Sequence, residues 1–372
     1  MRSFRRVFAQ GGVDSGYRGG VTAPRLALVI GHRGAPGYRP EHTRSSYELA
    51  IALGADAVEP DIVASRDGVL VLRHENEISG TTDVGSRAEF VSRRTTKTID
   101  GIRHTGWFTE DFTWAELSTL RARERLPKIR HSSASFDLQS PIMRLSELLD
   151  LLDDTRDESG RSIGLVAEIK HAAYFESIGL ALDELVAEEL TNAGWNSGDG
   201  RLTVESFEKT VLDQLRSRGI RSKNVFLLEA AGSPPDLVAR FGTMADSYAS
   251  FLTGDGLRML RRDLEGISVD RQMILPRTDP DSGRVSSALV EAAHDAGLEI
   301  YCWTLRPENR FLDRAFRGAG GSSGFGDWQS DFGLILATGV DGVFADHADL
   351  AVAARDAVAA SSRARGTVGG SA

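Results

Sequence analysis

The chain has 372 residues, 41% of them hydrophobic and 26% charged, a composition that can bury a full globular core and excludes a disordered or fibrous protein. Acidic residues outnumber basic ones by 53 to 44, and the formal net charge of -9 argues against nucleic acid or an anionic membrane surface as the main partner. The single cysteine, Cys302, excludes an internal disulfide and a cysteine-built zinc site.

Residues 1–24 carry Arg2, Arg5 and Arg6, but the Gly-rich, polar stretch behind them lacks the apolar run of a signal peptide. They read as a disordered tail. No stretch of about 18 apolar residues is present, so no membrane span is expected and the cytoplasm is the expected location. The first buried strand is expected at residues 25–30 (RLALVI). A helix follows over residues 45–53, with Thr43 as N-cap and Gly54 as stop, then a strand over residues 55–62. Residues 69–72 form another short apolar run.

Residues 76–140 are too long for an ordinary connection between a strand and a helix. Thr113-Trp114-Ala115-Glu116 is a capping-box pattern opening a helix through Leu120, and Trp107, Phe108, Phe112 and Trp114 supply an apolar cluster. An ordered lid or subdomain is expected here. Beyond it, strand and helix alternate again: strands at 163–168, 201–204 and 224–228 precede helices at 175–193, 208–218 and 235–241. Further strands are expected around Tyr248 and Ile267 and at 299–303 and 341–344. Short hydrophobic strands alternating with helices, close to eight in number, predict an α/β protein with a (β/α)8 TIM barrel over residues 25–360, interrupted by the inserted subdomain. Gly318 to Gly326 has the composition of a flexible loop, and residues 361–372 that of a disordered tail.

The chemically informative residues share one placement: each follows the end of a hydrophobic strand. His32 and Arg33 follow the first strand, Glu59 and Asp61 the second, His74 the run ending at Leu72, and Glu168 and Lys170 the strand before them. In a barrel these ends form the active site. Residues two apart on a strand point to one face, so Glu59 with Asp61, and Glu168 with Lys170, project as pairs. Three converging carboxylates call for a hard divalent cation, Mg²⁺ or Ca²⁺, because no His or Cys cluster has zinc spacing. Arg33 and Lys170 add positive charge for a phosphoryl group, and His32 and His74 can move protons near neutral pH.

Gly31-His32-Arg33-Gly34-Ala35, Arg39-Pro40-Glu41-His42-Thr43, Glu59-Pro60-Asp61 and the segment Asp67-Gly68 through His74 resemble the glycerophosphodiester phosphodiesterase family. So do Ala167-Glu168-Ile169-Lys170, Glu205-Ser206-Phe207, Trp303-Thr304 and the stretch Asp341-Gly342-Val343-Phe344-Ala345-Asp346. The resemblance covers about residues 26 to 355. It implies a barrel hydrolase that splits deacylated phospholipids into sn-glycerol 3-phosphate and an alcohol. It further implies His32 and His74 as the acid-base pair, Glu59, Asp61 and Glu168 as metal ligands, and Arg33 as phosphate binder. Attack by the glycerol 2-hydroxyl would give a cyclic phosphate that water opens. The long insertion resembles that of larger, often exported bacterial members. His42 stands where the family usually has Asn, and Glu75 where it commonly has Asp; neither is expected to touch substrate or metal.

Some residues carry two readings. Lys170 binds phosphate or only pairs with a carboxylate; Trp303 walls the substrate pocket or belongs to the core; Glu41 serves the helix N-terminus or partners Arg33. His104, His131, His171, His294 and His347 are assigned to the surface. Gly320-Gly321-Ser322-Ser323-Gly324 matches a nucleophile-elbow pattern without its strand-to-helix setting. The expected partner is a small glycerophosphodiester, with oligomeric state left open. Cell-wall polyglycerol phosphate or a lysophospholipid is the alternative substrate, and a non-catalytic phosphodiester- or metal-binding barrel the alternative of another class.

Overall fold

The computed structural model describes residues 26–156, 160–275 and 288–368; the expected tail at 1–24 lies outside the described residues. The strands are β1 (Leu28–His32), β2 (Ala57–Glu59), β3 (Asp61–Ala64), β4 (Leu70–Leu72), β5 (Thr95–Ile99), β6 (Ile102–Gly106), β7 (Gly164–Ile169), β8 (Leu202–Ser206), β9 (Lys223–Leu228), β10 (Gly266–Asp270), β11 (Glu299–Leu305) and β12 (Gly342–Ala345). Eight of them, β1, β2 and β7 to β12, pair in parallel in the order β2-β1-β12-β11-β10-β9-β8-β7, and β2 closes the ring on β7. The fold is the expected (β/α)8 barrel.

Both faces of these strands are covered, which is why they read as apolar runs rather than alternating ones. Inside, Ile30, Ala57, Val166, Val225, Tyr301 and Phe344 fill the barrel; outside, a larger cluster joins strands to helices. The packed interior leaves the strand ends as the place for chemistry.

The helix Arg44–Ala52 is capped by Thr43, whose side chain accepts from Ser46 N, as its sequence predicts. The strand expected over 55–62 is split at Pro60, which has no N–H to donate and ends β2. After the break β3 pairs with β7 and, antiparallel, with β4. The helix expected over 175–193 is two, Ala172–Ser177 and Leu182–Asn192, and Gly179 between them has φ of 82°. The strand expected around Tyr248 is a helix, Tyr248–Phe251, nucleated by the Ser247 side chain accepting from Ser250 N. Its rings pack on Phe226 instead of entering the sheet. The final helix, Ala348–Val368, runs past residue 361, where composition suggested a tail.

The insertion is ordered. Strands β5 and β6 form a hairpin turned by Asp100 and Gly101, both at positive φ as an Asp-Gly turn requires. The Thr113/Glu116 capping box is present, on a helix that spans only Trp114–Leu117. Phe108, Phe112, Leu117 and Leu120 are fully buried, so the segment shares the core of the barrel. The loop at Gly318 to Gly326 is pinned: the Asn309 amide donates to the carbonyls of Gly318, Ala319 and Gly321 and accepts from Gly318 N. Its Gly321–Ser323 turn is not a nucleophile elbow. Among the described residues no helix is long and apolar enough to cross a membrane.

Candidate active site

Strand register assembles the site. In β1 and β2 His32 lies opposite Glu59, Asp61 of β3 lies opposite Glu168 of β7, and Glu168 lies opposite Glu205 of β8. His32 and Glu59 end their strands, Glu168 and Glu205 are next to last in theirs, and Asp61 opens β3 directly after the break that ends β2, so their side chains meet at one mouth. Just past β1 the chain turns sharply. Arg33 adopts φ of 57° and Gly34 φ of 92°, and a Cβ on Gly34 would lie 2.5 Å from Ser46 Oγ, so only glycine fits. The Arg33 backbone is held in this sparsely populated region by Ser46 Oγ and His42 N, which both donate to its carbonyl. The turn aims its guanidinium back over Asp61, with Nε 3.1 Å from Oδ2.

A cavity of about 380 Å³ is lined by His32, Arg33, Glu59, His74, Glu168 and Lys170, with Phe207 and Trp303 on its apolar side. Phe207 and Trp303 meet edge to face at 5.9 Å, and Trp303 Nε1 is buried without a hydrogen bond. Trp303 is therefore a wall of the cavity as well as a neighbour of the barrel core. Asp61 and Glu41 stand behind the lining: Glu41 lies 3.3 Å from Arg33 Nη1 and is buried.

The two histidines are held alike. His32 Nδ1 lies 2.6 Å from Asp346 Oδ1, and His74 Nδ1 lies 2.6 Å from Glu75 Oε1. An ionised carboxylate only accepts, so each Nδ1 carries the hydrogen and each Nε2 remains as the proton acceptor. Burial and then Arg33 lower His32 to about 4, against the raising effect of Asp346. Burial, Arg33 and Lys170 lower His74 to about 3. Both imidazoles are neutral at neutral pH.

Glu59, Asp61 and Glu168 each place an oxygen within 4.8 Å of the others. Glu59 Oε2 accepts from Arg33 N at 2.8 Å, while Oε1 is buried with no hydrogen-bond partner. Asp61 Oδ2 accepts from His42 Nε2 at 2.9 Å; its Oδ1, also without a hydrogen bond, lies 3.6 Å from Lys170 Nζ. Lys170 Nζ donates to Glu168 at 2.7 Å. Burial and the neighbouring carboxylates push Glu59 well up and Glu168 to about 8, although Lys170 opposes the latter. Burial would raise Asp61 too, but Lys170, His74 and Arg33 together hold it well below the usual range. Three buried all-oxygen donors, two of them with an oxygen that makes no hydrogen bond, and three carboxylates against the two cations Arg33 and Lys170, fit a hard divalent cation.

The chain has a match to the glycerophosphoryl diester phosphodiesterase family over residues 32–350. It is 28% identical over 330 residues to a glycerophosphodiester phosphodiesterase of Arabidopsis thaliana, covering 85% of this chain and 82% of the relative. It is equally 28% identical over 338 residues to a glycerophosphodiester phosphodiesterase of Treponema pallidum, covering 85% and 92%. Among solved structures, an Oleispira antarctica phosphodiesterase in complex with the product sn-glycerol-3-phosphate superposes with a TM-score of 0.58 at 20% identity, covering 89% of this chain and 97% of that one.

The chain belongs to the glycerophosphoryl diester phosphodiesterase family. His42 donates to Asp61 through Nε2, while its Nδ1 meets the Tyr47 hydroxyl at 2.7 Å. Glu75 reaches back to the histidine beside it. His347 departs from its surface assignment: it is buried between the rings of Tyr38 and Phe325.

Sequence reasoning gave no role to Asp346, Glu75 or Glu205. Asp346 follows the end of β12, so the strand-end rule could have found it. Glu205, buried in the cavity wall with Oε2 making no hydrogen bond, is next to last in β8 and could have been found by the same rule. Two further arginines, Arg125 and Arg130, come from the insertion and carried no signal in the sequence.

Proposed function

We propose that this chain hydrolyses glycerophosphodiesters to sn-glycerol 3-phosphate and an alcohol. The observation that carries the proposal is the pair of histidines, each with Nδ1 fixed by a carboxylate, lining one cavity with Arg33, Lys170, Glu59 and Glu168, with Asp61 clustered behind the two glutamates. Glu59, Asp61 and Glu168 would hold one divalent cation, Mg²⁺ or Ca²⁺, which when bound offsets their charge and stabilises charge growing on the phosphoryl oxygens.

In this reading Arg33 and Lys170 hold the phosphate and Trp303 borders the substrate. A phosphodiester anion beside the histidines favours their protonated forms, offsetting the burial and cationic neighbours that keep them neutral in the free site. One imidazole takes the proton of the glycerol 2-hydroxyl as its oxygen attacks phosphorus; the other gives a proton to the departing alcohol oxygen. The cyclic phosphate is then opened by water with the two roles exchanged. Positioned acid-base groups contribute roughly 10²- to 10⁴-fold each.

The test is release of sn-glycerol 3-phosphate from glycerophosphocholine and glycerophosphoethanolamine after treatment with EDTA, then with Mg²⁺ or Ca²⁺ restored. Release that stops with chelation and returns with one metal is expected. Folded protein that releases none with either metal refutes the assignment, and turnover of polyglycerol phosphate or a lysophospholipid instead would redirect it.

A further inference from the structure

Two arginines of the insertion converge on the carboxylates behind the histidines. Arg125 spans Glu41 and Glu75: its Nε and Nη2 donate to Glu41 at 2.8 and 2.6 Å, and its Nη1 and Nη2 donate to Glu75 at 2.9 and 2.7 Å. Glu75 is the carboxylate that takes the His74 Nδ1 hydrogen, and Glu41 is the one against Arg33. Arg130, buried, donates from Nη2 to Asp346 at 2.5 Å and from Nε to Glu308 at 2.7 Å. Asp346 is the carboxylate that takes the His32 Nδ1 hydrogen, and Arg306 shares its second oxygen at 2.6 Å.

The two arginines are five residues apart on one strapped turn. Ile129 N and Arg130 N both donate to the carbonyl of Leu126, and Leu126 N donates to Glu124. Glu124 in turn accepts from Ser133 Oγ, and its own N–H donates to Asp137. Ala122 is tied to Thr82 and Ser140. With Phe108 and Phe112 buried in the core, this turn is fixed to the barrel rather than hinged over it.

We propose that the insertion is a positioning element for catalysis, in which Arg125 and Arg130 each orient one proton-transferring histidine through the carboxylate between them. A carboxylate with one oxygen on an imidazole and the other on a guanidinium cannot rotate without breaking a charge-assisted hydrogen bond. Without Arg125, Glu75 loses the partner that fixes the tautomer and ring plane of His74, and without Arg130, Asp346 keeps Arg306 alone on its second oxygen; such supporting partners are typically worth 10- to 100-fold. Arg125 has the added duty of holding Glu41 against Arg33. The proposal rests on the reading of His32 and His74 as acid and base.

The experiment compares wild type with Arg125→Met and Arg130→Met, and with the Lys variants of each, by single-turnover release of the alcohol from glycerophosphocholine and from glycerophospho-p-nitrophenol. Nitrophenolate departs without a proton. Both Met variants should release choline about 10- to 100-fold more slowly, with the Lys variants partly restored. Because one arginine serves the acid and the other the base, the loss in one variant alone should shrink at least severalfold with the nitrophenyl substrate. Arg125→Met should also raise KM, and Arg130→Met should not. Partial unfolding lowers both substrates equally and is read independently from far-UV circular dichroism and the melting temperature. Folded variants with wild-type rates, or with equal losses on both substrates, overturn the proposal. Wild type that releases no choline at all instead removes the reading on which it rests.

Discussion

Asp346→Asn isolates the link between a carboxylate and its histidine. In the native protein Asp346 Oδ1 accepts from His32 Nδ1 at 2.6 Å, and Oδ2 accepts from Arg130 and Arg306 at 2.5 and 2.6 Å. An amide has one acceptor and one donor end. Two arginines can only donate, so the amide oxygen turns to them and the NH₂ faces His32. His32 Nδ1 must then accept, its proton moves to Nε2, and the nitrogen facing the cavity can no longer act as a base. The expected loss is that of one acid-base group, about 10²- to 10⁴-fold in kcat, or roughly 3 to 5 kcal/mol of barrier. KM should change little, because Arg33 and Lys170 do not touch the substituted group. The assay is steady-state release of sn-glycerol 3-phosphate from glycerophosphocholine, with circular dichroism confirming the fold. A folded Asp346→Asn protein with kcat within about threefold of wild type would refute the role assigned to His32 and its carboxylate.

Other outcomes follow from the same geometry. Mg²⁺ or Ca²⁺ should raise the melting temperature of wild type by the equivalent of about 2.7 kcal/mol at a hundredfold excess over Kd, and should leave Glu59→Gln unmoved; an equal shift in both would remove Glu59 from the metal set. Burial pushes the Glu124 carboxyl from 4.5 up to about 7, against hydrogen bonds from Ser133 and Leu126. The folded protein therefore keeps this proton where the unfolded chain has lost it, so this group's contribution to stability falls between pH 4.5 and about 7 and stays about 3 kcal/mol lower above that. Glu124→Gln should flatten that fall, and denaturant midpoints at pH 5 and pH 8 check it; unchanged pH dependence would count against it. Phe112 is fully buried and meets Phe90 edge to face at 5.0 Å. Phe112→Ala should cost about 4 kcal/mol of stability, whereas a loss under about 1 kcal/mol in urea unfolding would show that the insertion is not part of the core.

The strand-end residues were legible because the signal is local: a run of apolar side chains, then a polar one, repeated around a barrel whose register brings those ends together. His32, Glu59, Asp61, His74, Glu168 and Lys170 all carry it. Arg125 and Arg130 do not, because their partners Glu41 and Asp346 lie 84 and 216 residues away and a lone arginine in a loop looks solvated. Tyr248 shows the ambiguity of a short apolar run, which a side-chain cap turned into a helix. His347 was misplaced because its burial depends on Tyr38 and Phe325, neither near it in sequence. Pro60 was visible throughout, and its missing N–H already contained the break between β2 and β3.

The central claim is that this site breaks the phosphodiester on the side of the alcohol. Phosphorus NMR of glycerophosphocholine incubated with the metal-loaded protein reads that bond directly. Loss of the diester resonance and growth of sn-glycerol 3-phosphate with equimolar free choline are expected. Phosphocholine and glycerol as the products, or an unchanged diester resonance with folded, metal-loaded protein, would contradict it.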